Sequence, residues 1–192
     1  MARSLLLLLC IGLLAGCSNR LLPPANVEDP VQVHLMDHGR HPSLLLPNKE
    51  GGWIRYVYGE WRWYADDDTG FWRGIQAMLW PTQAAIGRLS IDHLPRPGRS
   101  EAIPEGFLRL YSFEVATQRA ATLRKRLDSH FEEPERQTFQ PRYNLYFVPY
   151  PESYWVFNQS NQVMKRWLEE LGAEVHGPGL FSEWQLEGQD GL

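Results

Sequence analysis

The chain has 192 residues, of which 43% are hydrophobic, 12% aromatic and 22% charged. This composition is typical of one globular domain, because a disordered chain would lack the aromatic residues that build a core. It excludes collagen, coiled-coil, polytopic membrane and disulfide-scaffold proteins. The net charge is −4 and no long basic run is present. The charge pattern therefore argues against a nucleic-acid partner, whose phosphates require basic surfaces.

The first residues carry the pattern of a bacterial export signal. Arg3 supplies a positive charge, and the leucine-rich run after it is too short to span a bilayer. Residues 14–17 read Leu-Ala-Gly-Cys, which resembles a lipobox, the motif at which a signal is cut and the new terminal cysteine is acylated. An ordinary secretory peptide is the alternative. We therefore expect a signal peptide at 1–16 and lipidation, including palmitate, at Cys17.

The residue after the cysteine is Ser18 rather than aspartate, which resembles lipoproteins of the outer membrane. We expect the mature chain to be anchored there, facing the periplasm, because two or three acyl chains hold a protein stably. Cys10 is lost with the signal and Cys17 carries lipid, so the mature domain has no thiol for catalysis, zinc or a disulfide.

The remaining chain predicts a lipidated tether at 17–30, rich in proline, and a single domain at 31–192. Alternating apolar residues from Val31 to Leu35 predict a strand. Further strands are predicted at 43–46, 53–58, 107–113, 145–148 and 154–157, the last two separated by Pro149 and Pro151. Helices are predicted at 71–79, at 116–131 and from Val163 to Leu171, where Gly172 ends the helix and Asn158 or Ser160 caps its start.

Strands mixed with separate helices predict an α+β fold with a single antiparallel-dominated sheet and helices packed on it. The domain also contains a polar cluster at 34–41, in which three histidines accompany Asp37. Such a set can ligate zinc, but Gly39 and Pro42 oppose the helix that would align the ligands. The alternatives are a polar turn at the end of a strand and a metal site built from His34, His38 and His41.

Ser160 lies where the sequence predicts a strand-to-helix junction. A nucleophile at a helix N-terminus is activated because unpaired backbone N–H groups and the helix dipole stabilise negative charge. The alternative is that Ser160 only caps the helix, which is the commonest role of a serine at this position.

Three segments together resemble a known group of proteins. They are 37–41 (Asp-His-Gly-Arg-His), 58–64 (Tyr-Gly-Glu-Trp-Arg-Trp-Tyr) and the late helix that begins with Ser160 and Asn161. They resemble an uncharacterised family of bacterial envelope proteins, and their order resembles circularly permuted papain-like proteins of the NlpC type. The resemblance implies a permuted papain-like fold, in which an early histidine activates a late cysteine and a polar residue orients the histidine.

Matched to that pattern, His41 takes the place of the histidine, Ser160 that of the cysteine and Glu60 that of the orienting residue, with the acidic run 66–68 as its alternative. A hydroxyl requires a well-placed base to remove its proton, whereas a thiol ionises readily. Two interpretations stay open: a serine-dependent amide or ester hydrolase or acyltransferase, and a pseudoenzyme that binds an envelope ligand. Neither requires a cofactor or metal. The predicted binding residues are His38, Trp61, Trp63 and Asn161.

The ligand classes expected from this resemblance and from an envelope location are a cell-wall peptide, a glycan and an acyl-bearing molecule. The chain contains eight tryptophans, which invite stacking on a sugar ring. Packing in the core is the alternative role of these residues, because large aromatic side chains are mostly buried.

Overall fold

The computed structural model describes residues 18–70, 74, 77–180 and 182–188. The predicted signal peptide and Cys17 lie outside these residues, as do positions 71, 72 and 75 of the predicted helix at 71–79. Residues 74 and 77–79 are helical. Within the described residues, no helix has the length and apolar character that a bilayer crossing requires.

The fold is α+β and is dominated by an antiparallel sheet, which confirms the predicted class. Seven of the strands are β2 (Pro30–Asp37), β3 (Pro42–Pro47), β4 (Trp53–Glu60), β5 (Thr82–Ile91), β6 (Arg109–Ala116), β7 (Thr138–Gln140) and β8 (Leu145–Tyr154). They form one sheet in the order β6-β2-β3-β4-β5-β8-β7, and each neighbouring pair is antiparallel.

A smaller sheet contains the two ends of the described chain. Its strands are β1 (Asn19–Leu22), β9 (Glu174–His176) and β10 (Trp184–Leu186). β1 lies in the middle, antiparallel to β9 and parallel to β10. Residues 19–22 were expected in an extended tether, but Leu21 is fully buried within this sheet. The short apolar pair Leu21-Leu22 gave too little periodicity to predict a strand.

Two long helices cover one face of the large sheet, and a shorter one lies after β4. They are α1 (Trp61–Tyr64), α2 (Thr117–Asp128) and α3 (Ser160–Glu170), with 3-10 turns at Ser129–Phe131, Pro134–Arg136 and Val156–Asn158. The apolar face predicted for α3 is confirmed, since Val163, Trp167 and Leu168 are buried in the main core. Gly172 follows with φ of 93°, the left-handed conformation expected just after a helix.

The region 145–157 differs from the prediction of two strands. β8 is continuous through Pro149 and Pro151, and residues after Tyr154 form a 3-10 turn. Proline cannot donate a ladder hydrogen bond, so it is tolerated where one side of a strand is unpaired. β7 pairs only with residues 145–147 of β8, which leaves both prolines on an open strand edge.

Candidate functional site

A cavity of about 310 Å³ lies at one end of the large sheet. The β2–β3 turn and the last residues of β4 and β8 meet at this end, because antiparallel strands bring distant chain segments together. His41, Glu60 and Ser160 all line the cavity, so the structure brings together the three residues predicted to form a catalytic set.

His41 is half-buried beside the cavity. Its ring stacks on His38, with 4.7 Å between the ring centroids and an interplanar angle of 11°, and meets the Tyr64 ring edge-on. Its Nε2 atom has no hydrogen-bond partner. Burial, and then the positive charges of Arg55 and Arg40, lower the pKa of His41 to about 3. The imidazole is therefore neutral at physiological pH and is a weak base.

His38 is fixed by hydrogen bonds at both ring nitrogens. Nδ1 donates to the Gly106 carbonyl at 2.6 Å, so the neutral ring accepts at Nε2 from the Ser43 hydroxyl at 2.7 Å and from Arg55 at 3.3 Å. Burial, followed by the charge of Arg55 and the proximity of His41, lowers the pKa of His38 well below its usual value. This network holds a neutral His38 against the His41 ring.

Arg55 is the charged centre of the network. Its side chain is fully buried and forms an ion pair with Glu105, while its Nε donates to Ser43 at 3.0 Å. The second carboxylate oxygen of Glu105, Oε2, is buried without a partner, as is Nε2 of His41. Both residues also line the cavity.

Ser160 is the first residue of α3, and Gln159 is its N-cap. The Gln159 side chain accepts from the Asn161 amide at 2.7 Å. The predictions of Asn158 or Ser160 as the cap are therefore wrong. Sequence reasoning overlooked glutamine because its longer side chain is a less common cap than serine or asparagine.

The hydrogen bonds of Ser160 do not reach His41. Its hydroxyl donates to Gln159 Oε1 at 3.3 Å. Burial is the main cause that raises the pKa of Tyr154 to about 12, the charge of Glu60 adds to it, and the nearby Ser160 opposes it. Tyr154 is therefore a neutral phenol beside the first residue of α3.

Glu60, the predicted orienting residue, lines the cavity and is buried, but its carboxylate accepts from the Trp63 amide at 2.7 Å and so caps α1. In the acidic run at 66–68, Asp67 forms an exposed ion pair with Arg142. Glu105 offers a carboxylate oxygen within 4.8 Å of a His41 nitrogen. The orienting role of Glu60 stays a prediction.

The four predicted binding residues divide into two groups. His38 and Trp63 line the cavity, whereas Trp61 and Asn161 are not among its lining residues. Asn161 is buried and its side chain bonds to Ser182 and to the Trp184 indole. Its contacts join α3 to the small sheet.

The metal alternative is not assembled as the sequence suggested. His34 bonds to Ser112 on β6 and packs against Trp53. The described groups that do converge are His38, His41 and Glu105, with ligand atoms within 4.8 Å of one another. We assign no metal to them, because Arg55 already brings a positive charge to both Glu105 and His38.

Three residues of the site were missed from the sequence. Arg55 had a usable signal, since a lone arginine between Ile54 and Tyr56 in an apolar strand must find a buried partner. Glu105 had no sequence signal of this kind, because it lies in a loop rich in proline and glycine. Tyr154 was assigned to a strand without a functional role.

No protein-family model, curated protein or solved structure matches this chain in the comparisons with known proteins.

Proposed function

We propose that the chain is an outer-membrane lipoprotein of the periplasm, whose permuted papain-like domain binds an envelope ligand in the cavity between His41 and Ser160, with little or no turnover. The observation that carries this proposal is the cavity itself, of about 310 Å³, whose lining includes the polar side chains of His38, His41, Glu105 and Ser160 beside aromatic rings. A concave site with a few polar groups that fix orientation is typical of small-molecule binding.

The low turnover follows from the partners of Ser160. Its hydroxyl donates to Gln159 Oε1 at 3.3 Å and, among the described residues, has no hydrogen bond to His41, so no general base is in place. The pKa of His41, lowered to about 3, also makes that imidazole a poor proton acceptor at neutral pH. The cavity itself remains well formed, with the aromatic side chains of Trp63, Tyr64 and Tyr143 in its wall.

Ligand binding can be measured by nuclear magnetic resonance with one probe from each expected class: decanoate, N-acetylglucosamine and L-alanyl-D-glutamate. We expect at least one probe to shift the Ser160 amide and the His41 ring signals. We expect His41→Ala to weaken the binding of that probe about tenfold, which equals about 1.4 kcal/mol of binding free energy. Phe139→Ala is the matched control, because Phe139 is exposed on β7 and does not line the cavity. If no probe shifts these signals, or if both variants act alike, the binding proposal is wrong.

A serine-dependent amide or ester hydrolase or acyltransferase is the second candidate. One observation favours it: Gln159 caps α3, so Ser160 is not needed as the cap and stands at the helix N-terminus in the same cavity as His41. In this reaction His41 takes the hydroxyl proton as Ser160 attacks the acyl carbon, and it passes that proton to the amine or alcohol whose bond to the carbon breaks. Water, or an acceptor amine or hydroxyl, then takes the acyl group from Ser160 and restores the hydroxyl.

Labelling with a fluorophosphonate probe separates the two candidates. The binding proposal predicts no label on the full-length protein. Label that appears on the unmodified protein and disappears in Ser160→Ala would establish the hydrolase and overturn the binding-only interpretation.

A further inference from the structure

Large apolar side chains are exposed mainly at the end of the sheet that holds the cavity. Six of the eight exposed in the described part of the chain lie there, whereas Phe139 and Tyr146 lie along the β7–β8 edge. The six, with their exposed fractions, are Leu79 (60%), Trp80 (62%), Leu108 (63%), Trp155 (36%), Phe157 (63%) and Leu180 (36%). We call these six residues the apolar rim.

Strand pairing and hydrogen bonds place the rim residues together. Thr82 at the start of β5 pairs with Tyr154 at the end of β8, so the segment with Trp80 adjoins the segment with Trp155. The rings of Trp155 and Phe157 meet edge-on at 5.0 Å. A cluster of exposed aromatic and aliphatic residues of this kind marks an interaction surface rather than scattered surface variation.

The other two rim residues, Leu108 and Leu180, lie at the same end of the sheet as the cavity. The Leu108 amide donates to the carbonyl of Asp37, the last residue of β2, at 2.8 Å. Leu180 follows Gly179, whose carbonyl accepts from the side chain of Gln159 at the start of α3. The rim therefore surrounds the segments that also line the cavity.

The amino-terminal strand begins at this end. The Asn19 side chain is buried and accepts from the Gly179 amide at 2.9 Å. Only Ser18 separates Asn19 from Cys17 in the sequence, and consecutive Cα atoms are about 3.8 Å apart. The Cα atom of Cys17 is thus at most about 7.6 Å from that of Asn19. Lipid chains on Cys17 would therefore attach two residues before Asn19, the first residue of β1, with no long tether between the described domain and the bilayer.

We propose that the apolar rim is a membrane-docking surface, which enters the interface of the bilayer that holds the lipid anchor. Tryptophan at an exposed edge is suited to this layer, where its ring contacts acyl chains and its indole N–H contacts headgroups, and exposed phenylalanine and leucine add apolar area to the buried face. The proposal rests on the proposed lipid anchor at Cys17. It adds a fixed orientation, in which the sheet end that bears the cavity lies at the membrane surface.

Site-directed spin labelling tests this orientation on full-length acylated protein. The protein is reconstituted into vesicles of three parts phosphatidylethanolamine to one part phosphatidylglycerol. Phe157→Cys carries the label within the rim, and Phe139→Cys carries it on β7 as the matched exposed control. With Cys10 removed and Cys17 acylated, the introduced cysteine is the one free thiol of the sequence.

We expect the label at position 157 to collide with oxygen more than with a soluble nickel complex, at a depth of about 5–10 Å, and the label at position 139 to remain aqueous. Flotation with the vesicles reports the anchor separately. Protein that floats with both labels aqueous overturns the docking surface and leaves the anchor intact. If the protein is recovered from the membrane-exporting host without acyl chains on Cys17 and does not float, the anchor is overturned, and the docking proposal with it.

Discussion

Replacing Arg55 by methionine is expected to lower the free energy of unfolding by about 3–5 kcal/mol, as is typical when one partner of a buried ion pair is removed. The guanidinium is fully buried and Glu105 is only 12% exposed, so the remaining carboxylate would be left in a poorly solvated site. Ser43 and His38 would also lose donors. Urea denaturation measures the loss.

The exposed pair Arg126–Glu170 provides the matched control. Its side chains are 40% and 47% exposed, and Arg126→Met should cost only about 0–1 kcal/mol. The double variant Arg55→Met with Glu105→Gln should recover part of the stability, because no uncompensated charge remains. Equal losses from Arg55→Met and Arg126→Met would show that the Arg55 network does not stabilise the fold.

Acidification from pH 7 to pH 5 is expected to destabilise the protein strongly. Burial lowers the pKa of His34 to about 4, and burial with the charges of Arg55 and Arg40 lowers that of His41 to about 3. The pKa of His38 is also well below its usual value. Histidine in an unfolded chain titrates near pH 6.5, so below that pH the unfolded state binds more protons than the folded state.

His34 and His41 therefore each remove about 1.4 kcal/mol of stability per pH unit between about pH 6.5 and 4, or about 3 kcal/mol per unit together, and His38 adds to this loss. Asp37 opposes this trend, since burial raises its pKa and its protonation on acidification favours the folded state. Urea denaturation at pH 7, 6 and 5 gives the slope, and His34→Gln should reduce it by about 1.4 kcal/mol per pH unit. A stability that does not change over this range would contradict the prediction.

The elements that frame the site could be predicted where one face of an element is consistently apolar. The spacing of the apolar residues Val163, Met164, Trp167 and Leu168 predicted α3, and the alternation of apolar residues after Val31 predicted β2. β5 escaped prediction because Ala84, Ala85 and Gly87 have low strand propensity. Gly87 is nevertheless required there, since a Cβ would lie 2.5 Å from the ring of Phe147.

The meeting of His41 and Ser160 in one cavity was expected from the order of the motifs, but the atoms that decide their chemistry were not. The proximity of Tyr154 to Ser160 depends on how the end of β8 joins α3. The burial of the Glu105 side chain depends on a loop that folds over the sheet. Such contacts form between segments far apart in the chain, and local periodicity contains no information about them.

The position of β1 has a consequence for the order in which the molecule is completed. Asn19 pairs with Trp184 and Leu21 with Leu186, so β1 cannot pair with β10 until residue 184 has been synthesised. Closing so long a loop is entropically costly and slow. Nascent chains that stop short of residue 184 leave Leu21 without its parallel neighbour, so we expect this strand pairing to form late in folding.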